Sequence, residues 1–350
     1  MAPKNAGTTK VWIDSPRVSV PKQGHTDTRP DVHLYCGDVL EVLKESVADA
    51  SVDLIVTSPP YADARKSSYG GIHPDDYVDW FLPRAAELQR VLKPSGSFIL
   101  NIKEKVVDGE RHPYVLELIL ALKREGWYWV EEYLWHKKNC SPGKWPNRFR
   151  DAWERCLHFT KEKRDWKMNQ DAVRVPISDS SKKRLANPSA NDSVRSVAAT
   201  KSGFGRKVAN WKGLDTVYPC NVLYMATECG NKNHSAAFPE SLPEFFIKLF
   251  SDAGDIVLDP FAGSGTTLAV AQRLGRRYIG VEKLPEFIPV IENRLEKTAA
   301  LETAAPWRTQ EMKTASANLC LRGIAFPEAR PAYEEFRERM LALAATELAA

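Results

Sequence analysis

The chain has 350 residues, of which 43% are hydrophobic, 10% aromatic and 27% charged, and its formal net charge is +4. This composition is typical of a soluble globular protein of one large or two medium domains, and it excludes collagen-like, coiled-coil and disulfide-scaffold proteins. No apolar run reaches the roughly 18 residues that span a bilayer, and the polar first thirty residues lack the apolar core of a signal peptide.

Strands and helices alternate over most of the chain. Residues 1–30 lack apolar periodicity and predict a flexible arm. The hydrophobic pattern of the first half predicts strands at 32–36, 52–57, 96–101, 127–135 and 155–160, separated by helices at 38–47, 75–92 and 113–124. The second half predicts helices at 239–251, 264–274 and 285–297, strands at 255–259 and 278–282, and an Ala-rich helix near 333–348. This alternation favours an α/β fold with a doubly wound, mostly parallel sheet.

Positive charge is concentrated in residues 161–212, which carry thirteen basic and five acidic residues. The remainder of the chain is therefore slightly acidic. Charge-rich stretches with few aliphatic residues are often solvated linkers, but Lys and Arg at this density also suit contacts with phosphates. A linker and a nucleic-acid-binding segment are the two interpretations of this stretch.

A glycine-rich turn follows the strand that ends at Asp259. Gly263 and Gly265 allow tight curvature and the close approach of a ligand, and the next helix begins with free N–H donors. No Gly-Lys-[Ser/Thr] sequence follows, which excludes a P-loop. The next strand ends at Glu282, where a carboxylate can accept both ribose hydroxyls of an adenosine-containing cofactor. The pattern predicts such a site; the alternative is a structural turn and an exposed glutamate.

A second motif, TSPPY, ends the strand at Thr57. Two prolines stop the strand abruptly and, lacking N–H groups, leave carbonyl oxygens to face a ligand. Ser58 adds a hydroxyl and Tyr61 an aromatic face, so the motif can bind an exocyclic amine on a planar ring. The alternative is a Pro-Pro loop with a surface tyrosine.

Thr57–Tyr61 (TSPPY) and Asp259–Thr267 (DPFAGSGTT) resemble motifs IV and I of S-adenosylmethionine-dependent DNA amino-methyltransferases. Their order, with the catalytic motif first, resembles the permuted beta class. The resemblance covers roughly residues 32–298. It implies a circularly permuted, Rossmann-like methyltransferase fold with an inserted basic target-recognition region, and S-adenosyl-L-methionine as the cofactor.

Shorter segments agree with this resemblance. Gly37-Asp38 resembles motif III, His234–Pro239 motif X and Leu92–Phe98 motif VI, although each is weak alone. The resemblance implies that the cofactor-binding residues are Asp38, His234, Phe238, Asp259, Pro260, Phe261, Gly263, Ser264, Gly265, Thr266 and Glu282.

The implied reaction is direct methyl transfer to an exocyclic amine, with Ser58, Pro59, Pro60 and Tyr61 as the catalytic motif. Hydrogen bonds from the amine to the Ser58 hydroxyl and the Pro59 carbonyl localise its lone pair, and positioning then favours in-line attack. The base is flipped out of the duplex, with Tyr61 as the stacking partner. Serine in the first position resembles cytosine-N4 enzymes; adenine-N6 methylation is the alternative. Carbon-5 methylation is disfavoured because these motifs contain no Pro-Cys pair.

The basic segment corresponds to the target-recognition region of the class, and residues 62–74 resemble a mobile lid. We expect the DNA-binding residues to be Arg65, Lys66, Lys144, Arg148, Arg150, Lys182, Lys183, Arg184, Arg206 and Lys207. The expected partners are double-stranded DNA, a cognate restriction endonuclease and a second copy of the chain. Rival interpretations are an RNA amino-methyltransferase and a non-catalytic accessory subunit.

Five segments are predicted: an arm (1–30), a catalytic half (31–160), the recognition region (161–215), a cofactor-binding half (216–299) and a helical appendage (300–350). Six scattered cysteines without a Cys-x-x-Cys pair are typical of reduced cytosolic proteins, and no zinc or iron signature stands out. We therefore expect a cytoplasmic, prokaryotic protein that associates with the nucleoid and needs no metal.

Overall fold

The computed structural model describes residues 32–64, 70–140, 147–187, 213–227 and 238–304. Its strands are β1 (Val32–Cys36), β2 (Val52–Thr57), β3 (Leu92–Ile102), β4 (Val106–Val107), β5 (Glu110–Arg111), β6 (Tyr128–Lys137), β7 (Trp153–Thr160), β8 (Val175–Pro176), β9 (Thr216–Val217), β10 (Val222–Met225), β11 (Ile256–Asp259) and β12 (Arg277–Glu282). Its helices are α1 (Val39–Ser46), α2 (Tyr77–Val91), α3 (Tyr114–Arg124), α4 (Asp179–Ala186), α5 (Ser241–Phe250), α6 (Thr266–Arg273) and α7 (Ile288–Ala304). Single 3-10 turns lie at Pro74–Asp76, Gln170–Val173 and Pro285–Phe287.

Eight strands form one sheet in the order β1-β12-β11-β2-β3-β7-β6-β10. Neighbours are parallel except at β7, which runs antiparallel to both β3 and β6. The prediction of a doubly wound, mostly parallel α/β sheet is confirmed. Within the described residues, two short antiparallel pairs, β4-β5 and β8-β9, lie outside this sheet.

The middle of the sheet is fully covered on both faces. All six residues of β2 are buried, as expected for a strand between two helical layers. Helices α1, α2 and α3 pack on one face around Phe81 and Leu118, and α5, α6 and α7 pack on the other around Phe246 and Leu268. Since ligands of open α/β sheets bind beyond the carboxyl ends of the strands, this layering places the candidate site at that edge.

The observed elements differ from the predicted ones mainly at their ends. Strand β3 begins at Leu92, four residues before the predicted start, and Thr266 rather than Ser264 begins α6. The sequence analysis missed strand β10 and the short helix α4, which lies inside the basic segment. The predicted arm and Ala-rich helix near 333–348 lie outside the described residues. Within the described ranges, no helix has the length and apolar character needed to cross a lipid bilayer.

Candidate active site

A cavity of about 460 Å³ opens where the carboxyl ends of the parallel strands meet. Its wall comes from the residues after β1, β2, β10 and β11, from the ends of β3, β6 and β12, and from Trp80 and Arg84 of α2. Because β7 runs in the opposite direction, it contributes its amino end instead. The lining side chains with polar groups are Asp38, Ser58, Tyr61, Trp80, Arg84, Asn101, Trp135, Lys137, Glu154, Thr227, Glu282 and Lys283.

Asp38 stands at one rim, directly after β1. Its carboxylate caps α1 by accepting the Leu40 N–H at 3.0 Å, and it lies 3.5 Å from Arg84 and 3.3 Å from Lys283. Burial raises the pKa of this carboxyl, but the Leu40 N–H and the two cations outweigh burial and hold the pKa below its usual range. Asp38 therefore faces the cavity as an ionised acceptor.

Glu282 ends β12 beside it. Its Oε2 accepts the Gly263 N–H at 2.8 Å and its Oε1 accepts the Leu284 N–H at 2.9 Å. Burial raises the pKa of Glu282. A carboxylate has about four acceptor positions, and Glu282 lines the cavity, so it can still accept a hydrogen bond from a hydroxyl group of a ligand.

Aromatic side chains form the adjoining wall. The rings of Trp80 and Phe261 have centroids 5.9 Å apart and planes inclined by 39°. The Arg84 guanidinium lies 4.3 Å from the centre of the Trp80 ring, and this cation–π contact helps to hold the indole in place. This wall can accept a flat apolar group next to the two carboxylates.

The glycine-rich turn has the geometry that its sequence predicts. Gly263 and Gly265 have φ values of 54° and 76°, a left-handed region that favours glycine. A Cβ on Gly265 would also lie 2.8 Å from Cγ2 of Ile291 in α7. The turn therefore requires glycine at 265 for both its backbone conformation and its packing.

Asp259 does not line the cavity. Its side chain is buried, and Oδ1 accepts the Thr57 hydroxyl at 2.7 Å and the Phe261 N–H at 3.1 Å. Burial raises its pKa to about 6. Asp259 therefore connects the end of β2 to the turn after β11, and it contacts a bound molecule only through the residues that it positions.

Ser264 and Thr266 also lie behind the wall. Arg294 of α7 donates to the Ser264 carbonyl and hydroxyl, each at 3.2 Å, and to the Thr266 hydroxyl at 2.7 Å. Of the predicted cofactor-binding residues, the structure thus brings together Asp38, Phe238, Pro260, Phe261, Gly263 and Glu282 on the cavity wall. His234 lies outside the described residues.

The TSPPY segment forms the opposite wall of the cavity, and Ser58, Pro59, Pro60 and Tyr61 all line it. The Tyr77 hydroxyl donates to the Pro60 carbonyl at 2.9 Å, which holds the loop against α2. The segment therefore presents a hydroxyl, backbone and an aromatic ring to one space, as the sequence predicts.

The Tyr61 hydroxyl lies at the centre of a polar network. It donates to Glu154 Oε2 at 2.7 Å and accepts from Asn101 Nδ2 at 2.9 Å and from the Ser58 hydroxyl at 3.1 Å. Burial and the nearby Glu154 charge raise the Tyr61 pKa well above its usual value. Ser58 donates its single proton to Tyr61, so it meets any further polar partner as a hydrogen-bond acceptor.

The sequence analysis missed the residues that complete this network. Asn101 also donates to Glu154 Oε2, at 2.9 Å, and Lys137 forms an ion pair with Glu154 Oε1. Glu154 is only 7% exposed although its side chain carries a charge. A charged residue on the buried face of a strand is the signal that could have identified Glu154. The sequence alone does not show which face of the strand is buried.

Five of the ten predicted DNA-binding residues are described. Lys182, Lys183 and Arg184 lie on exposed positions of α4, and the exposed Arg150 donates to the Cys140 carbonyl at 3.0 Å. Arg148 is half-buried. None of the five lines the cavity. Arg65, Lys66, Lys144, Arg206 and Lys207 lie outside the described residues.

The site therefore combines an ionised rim, an aromatic wall and a hydroxyl acceptor supported by a buried carboxylate. It can hold a ligand with hydroxyl groups and a flat ring beside a second flat molecule that carries N–H donors. These features suit a two-substrate transfer reaction in which positioning is the main contribution.

Comparisons with known proteins agree with this arrangement. A family model described as DNA methylase, N6_N4_Mtase, matches residues 52–293. Among curated relatives, the type II methyltransferase M.PvuII of Proteus hauseri is 34% identical over 73% of this chain and 81% of its own length. The DNA adenine methyltransferase YhdJ of Escherichia coli is 30% identical over 79% of this chain and 87% of its own. The solved structure of the cytosine-N4-specific PvuII DNA methyltransferase matches with a TM-score of 0.54 and 27% identity, covering 77% of this chain and 90% of that one.

Proposed function

The chain belongs to the N6/N4 family of DNA methylases, and we propose that within it the protein transfers a methyl group to the exocyclic N4 of a cytosine flipped out of duplex DNA. The observation that carries the proposal is Ser58, whose oxygen faces the cavity as an acceptor while its proton is donated to Tyr61. An exocyclic amine brings N–H donors to that position.

S-adenosyl-L-methionine is the methyl donor of this family, and the cavity fits it. When bound, it supplies an activated methyl group. Asp38 and Glu282 can accept hydrogen bonds from its hydroxyl and amino groups, and Trp80 and Phe261 can pack against its purine ring. A volume of about 460 Å³ lies within the range of small-molecule sites. Asp259 acts indirectly, since it holds the turn that carries Phe261.

The catalytic motif orients the target amine. We assign the Ser58 hydroxyl and the Pro59 carbonyl as acceptors of its two N–H groups, which localises the nitrogen lone pair for in-line attack on the methyl carbon. Tyr61 stacks on the extruded base. The hydrogen bonds of its hydroxyl to Glu154 and Asn101 fix the plane of that ring before the base enters.

Adenine N6 is the second candidate for the target. The relative YhdJ is named as an adenine methyltransferase, whereas the PvuII enzyme is named as cytosine-N4-specific. We favour cytosine because position 58 is serine. Adenine-N6 members usually carry a carboxylate or a carboxamide in this position. A carboxylate is a stronger hydrogen-bond acceptor than a hydroxyl, and both groups have a longer side chain than serine.

The remaining assignments belong to the same proposal. The basic segment 161–215 is the DNA-recognition region, with Lys182, Lys183 and Arg184 on α4 as phosphate contacts, and the order of the motifs corresponds to a permuted fold. The proposal also includes the five predicted segments, a partner endonuclease and a homodimer. It places the protein in the bacterial cytoplasm, at the nucleoid. The curated relatives named above are bacterial enzymes, one of them a type II methyltransferase, which supports this setting.

The test is methyl transfer from labelled S-adenosylmethionine to mixed-sequence duplex DNA, followed by mass analysis of the nucleosides. N4-methylcytosine supports the proposal. N6-methyladenine contradicts the assignment of the base and leaves the reaction class intact. Methylated RNA with unmodified DNA contradicts the substrate, and cofactor binding without transfer favours an accessory subunit. Ser58→Ala is the matched control for contaminating activity.

A further inference from the structure

The methyl-transfer reaction releases a proton for which the established motif provides no final acceptor. When the amine lone pair forms the new N–C bond, the C–S bond of the sulfonium breaks and its electron pair stays on sulfur. As this happens, positive charge develops on the nitrogen, which still carries both of its original protons. One proton has to leave to give the neutral methylamine, and Ser58 is the side chain whose oxygen faces that nitrogen in the proposed pose.

We propose that Ser58, Tyr61 and Glu154 form a relay that carries this proton from the methylated amine to the buried Glu154 carboxylate. The inference rests on the proposed function above. The nitrogen gives its proton to the Ser58 oxygen, Ser58 gives its own proton to the Tyr61 oxygen, and Tyr61 gives its proton to Glu154 Oε2. Glu154 ends as a neutral acid and returns the proton to solvent after product release, so atoms and charge balance.

The direction of the hydrogen bonds is fixed by chemistry. An ionised carboxylate only accepts, so Tyr61 must donate to Glu154 across their 2.7 Å contact. A phenol has one proton, so Ser58 must in turn donate to Tyr61 across 3.1 Å. Both protons already point along the path that the relay requires.

The surroundings of Glu154 suit a proton acceptor. Lys137 pairs with Oε1 and supplies the countercharge, while Asn101 holds Oε2 at 2.9 Å. The other titratable groups facing the carboxylate are Tyr61, Tyr114 and Cys156. Burial first, and the Glu154 charge in addition, raise the pKa of Tyr61 and Cys156, and burial likewise raises the pKa of Tyr114. These three groups therefore stay protonated near neutral pH and leave Glu154 as the acceptor.

Glu154 acts through Tyr61 and is a positioning residue with a proton-accepting role. The experiment measures single-turnover methyl transfer to duplex DNA by the wild type, Glu154→Gln and Tyr61→Phe, in H₂O and in D₂O. Glutamine keeps an oxygen for the Tyr61 hydroxyl and phenylalanine keeps the stacking ring. Tyr278→Phe, which alters a buried tyrosine away from the cavity wall, is the matched control.

We expect both variants to lose about 10²-fold in rate, with Kd values for cofactor and DNA changed less than about twofold. The wild type should react more slowly in D₂O than in H₂O, and this solvent isotope effect should be smaller in Glu154→Gln, because that variant moves no proton along the relay. The double variant should be no slower than either single variant, because one broken link already interrupts the relay.

A solvent isotope effect that is the same in the wild type and in Glu154→Gln would show that Glu154 only holds Tyr61 in place and would overturn the relay. A wild-type rate in Tyr61→Phe would overturn it as well, and both results leave the proposed function intact. If the wild type binds S-adenosylmethionine but methylates no DNA base, the proposed function fails and the relay fails with it.

Discussion

Asp259→Asn should stabilise the protein at neutral pH. The Asp259 carboxyl is 2% exposed, and burial raises its pKa from 3.8 to about 6. A tenfold change in the ionisation constant is worth about 1.4 kcal/mol. Keeping this carboxylate ionised inside the fold therefore costs about 3 kcal/mol of unfolding free energy at pH 7. Asparagine keeps an oxygen for the Thr57 hydroxyl and the Phe261 N–H and removes the charge.

The sign of the pH dependence follows from the raised pKa. Below about pH 3 the carboxyl is protonated in both the folded and the unfolded chain, and it costs nothing. As the pH rises through the window from 3.8 to about 6, the unfolded chain loses the proton first and the folded state is penalised progressively. The advantage of Asp259→Asn should thus grow from near zero at about pH 3 to about 3 kcal/mol at pH 7.

Urea unfolding at pH 4.5, 5.5 and 7, followed by circular dichroism and tryptophan fluorescence, measures this difference. Asp252→Asn is a control of opposite sign. Hydrogen bonds from Lys167 and Asn169 hold the pKa of Asp252 below its usual range, so this variant should lose stability at pH 7. A stability difference for Asp259→Asn that is independent of pH, or a less stable variant at pH 7, would refute the reasoning.

Three further predictions concern the site, the DNA contacts and the core. Ser58→Ala removes the proposed acceptor for the amine and should lower kcat about 10²-fold, while calorimetry should find cofactor affinity unchanged; equal loss of both contradicts the proposed role. Lys182→Ala combined with Lys183→Ala should flatten the slope of log Kd for DNA against log salt by about one for each phosphate that the variant no longer neutralises. Lys123→Ala, on the exposed end of α3, should leave that slope as it is. Gly280→Ala places a Cβ 2.4 Å from Cδ1 of Leu268 and 3.2 Å from Cδ1 of Leu34, and such overpacking should cost about 1–3 kcal/mol in urea unfolding. A wild-type midpoint for Gly280→Ala would mean that Leu268 moves aside without cost.

The sequence predicts the fold where the local pattern is strong. Strand β2 (VDLIVT) is a mostly apolar run that Ser58 and two prolines follow, and the turn at Gly263 and Gly265 needs positive φ angles, so both could be located from the residues alone. Strand β10 escaped prediction because it has four residues at the edge of the sheet, directly after the basic segment. Its existence depends on pairing with β6, which is about ninety residues away in the chain.

The candidate site was predicted in part for the same reason. Ser58, Tyr61 and Glu282 follow strands within recognisable motifs, so local sequence identifies them. Glu154 enters the site only because β7 runs antiparallel between β3 and β6, which brings it to the end of the sheet where Asn101 lies near the end of β3. For Asp259, the motif identifies the residue but not its role. Its carboxylate accepts the Thr57 hydroxyl and is turned away from the cavity.

The pairing of β1 with β12 and of β2 with β11 has a consequence during synthesis. When the ribosome has completed the first 160 residues, β1 still lacks the strand beside it and β2 lacks its neighbour on one side. Both wait for residues 256–282, which at 5–20 residues per second takes on the order of ten seconds. Meanwhile the nascent chain exposes the open edge of the apolar strand β2, a surface prone to pairing with other chains. Growth at lower temperature or with extra chaperone should therefore raise the soluble yield more than any surface substitution.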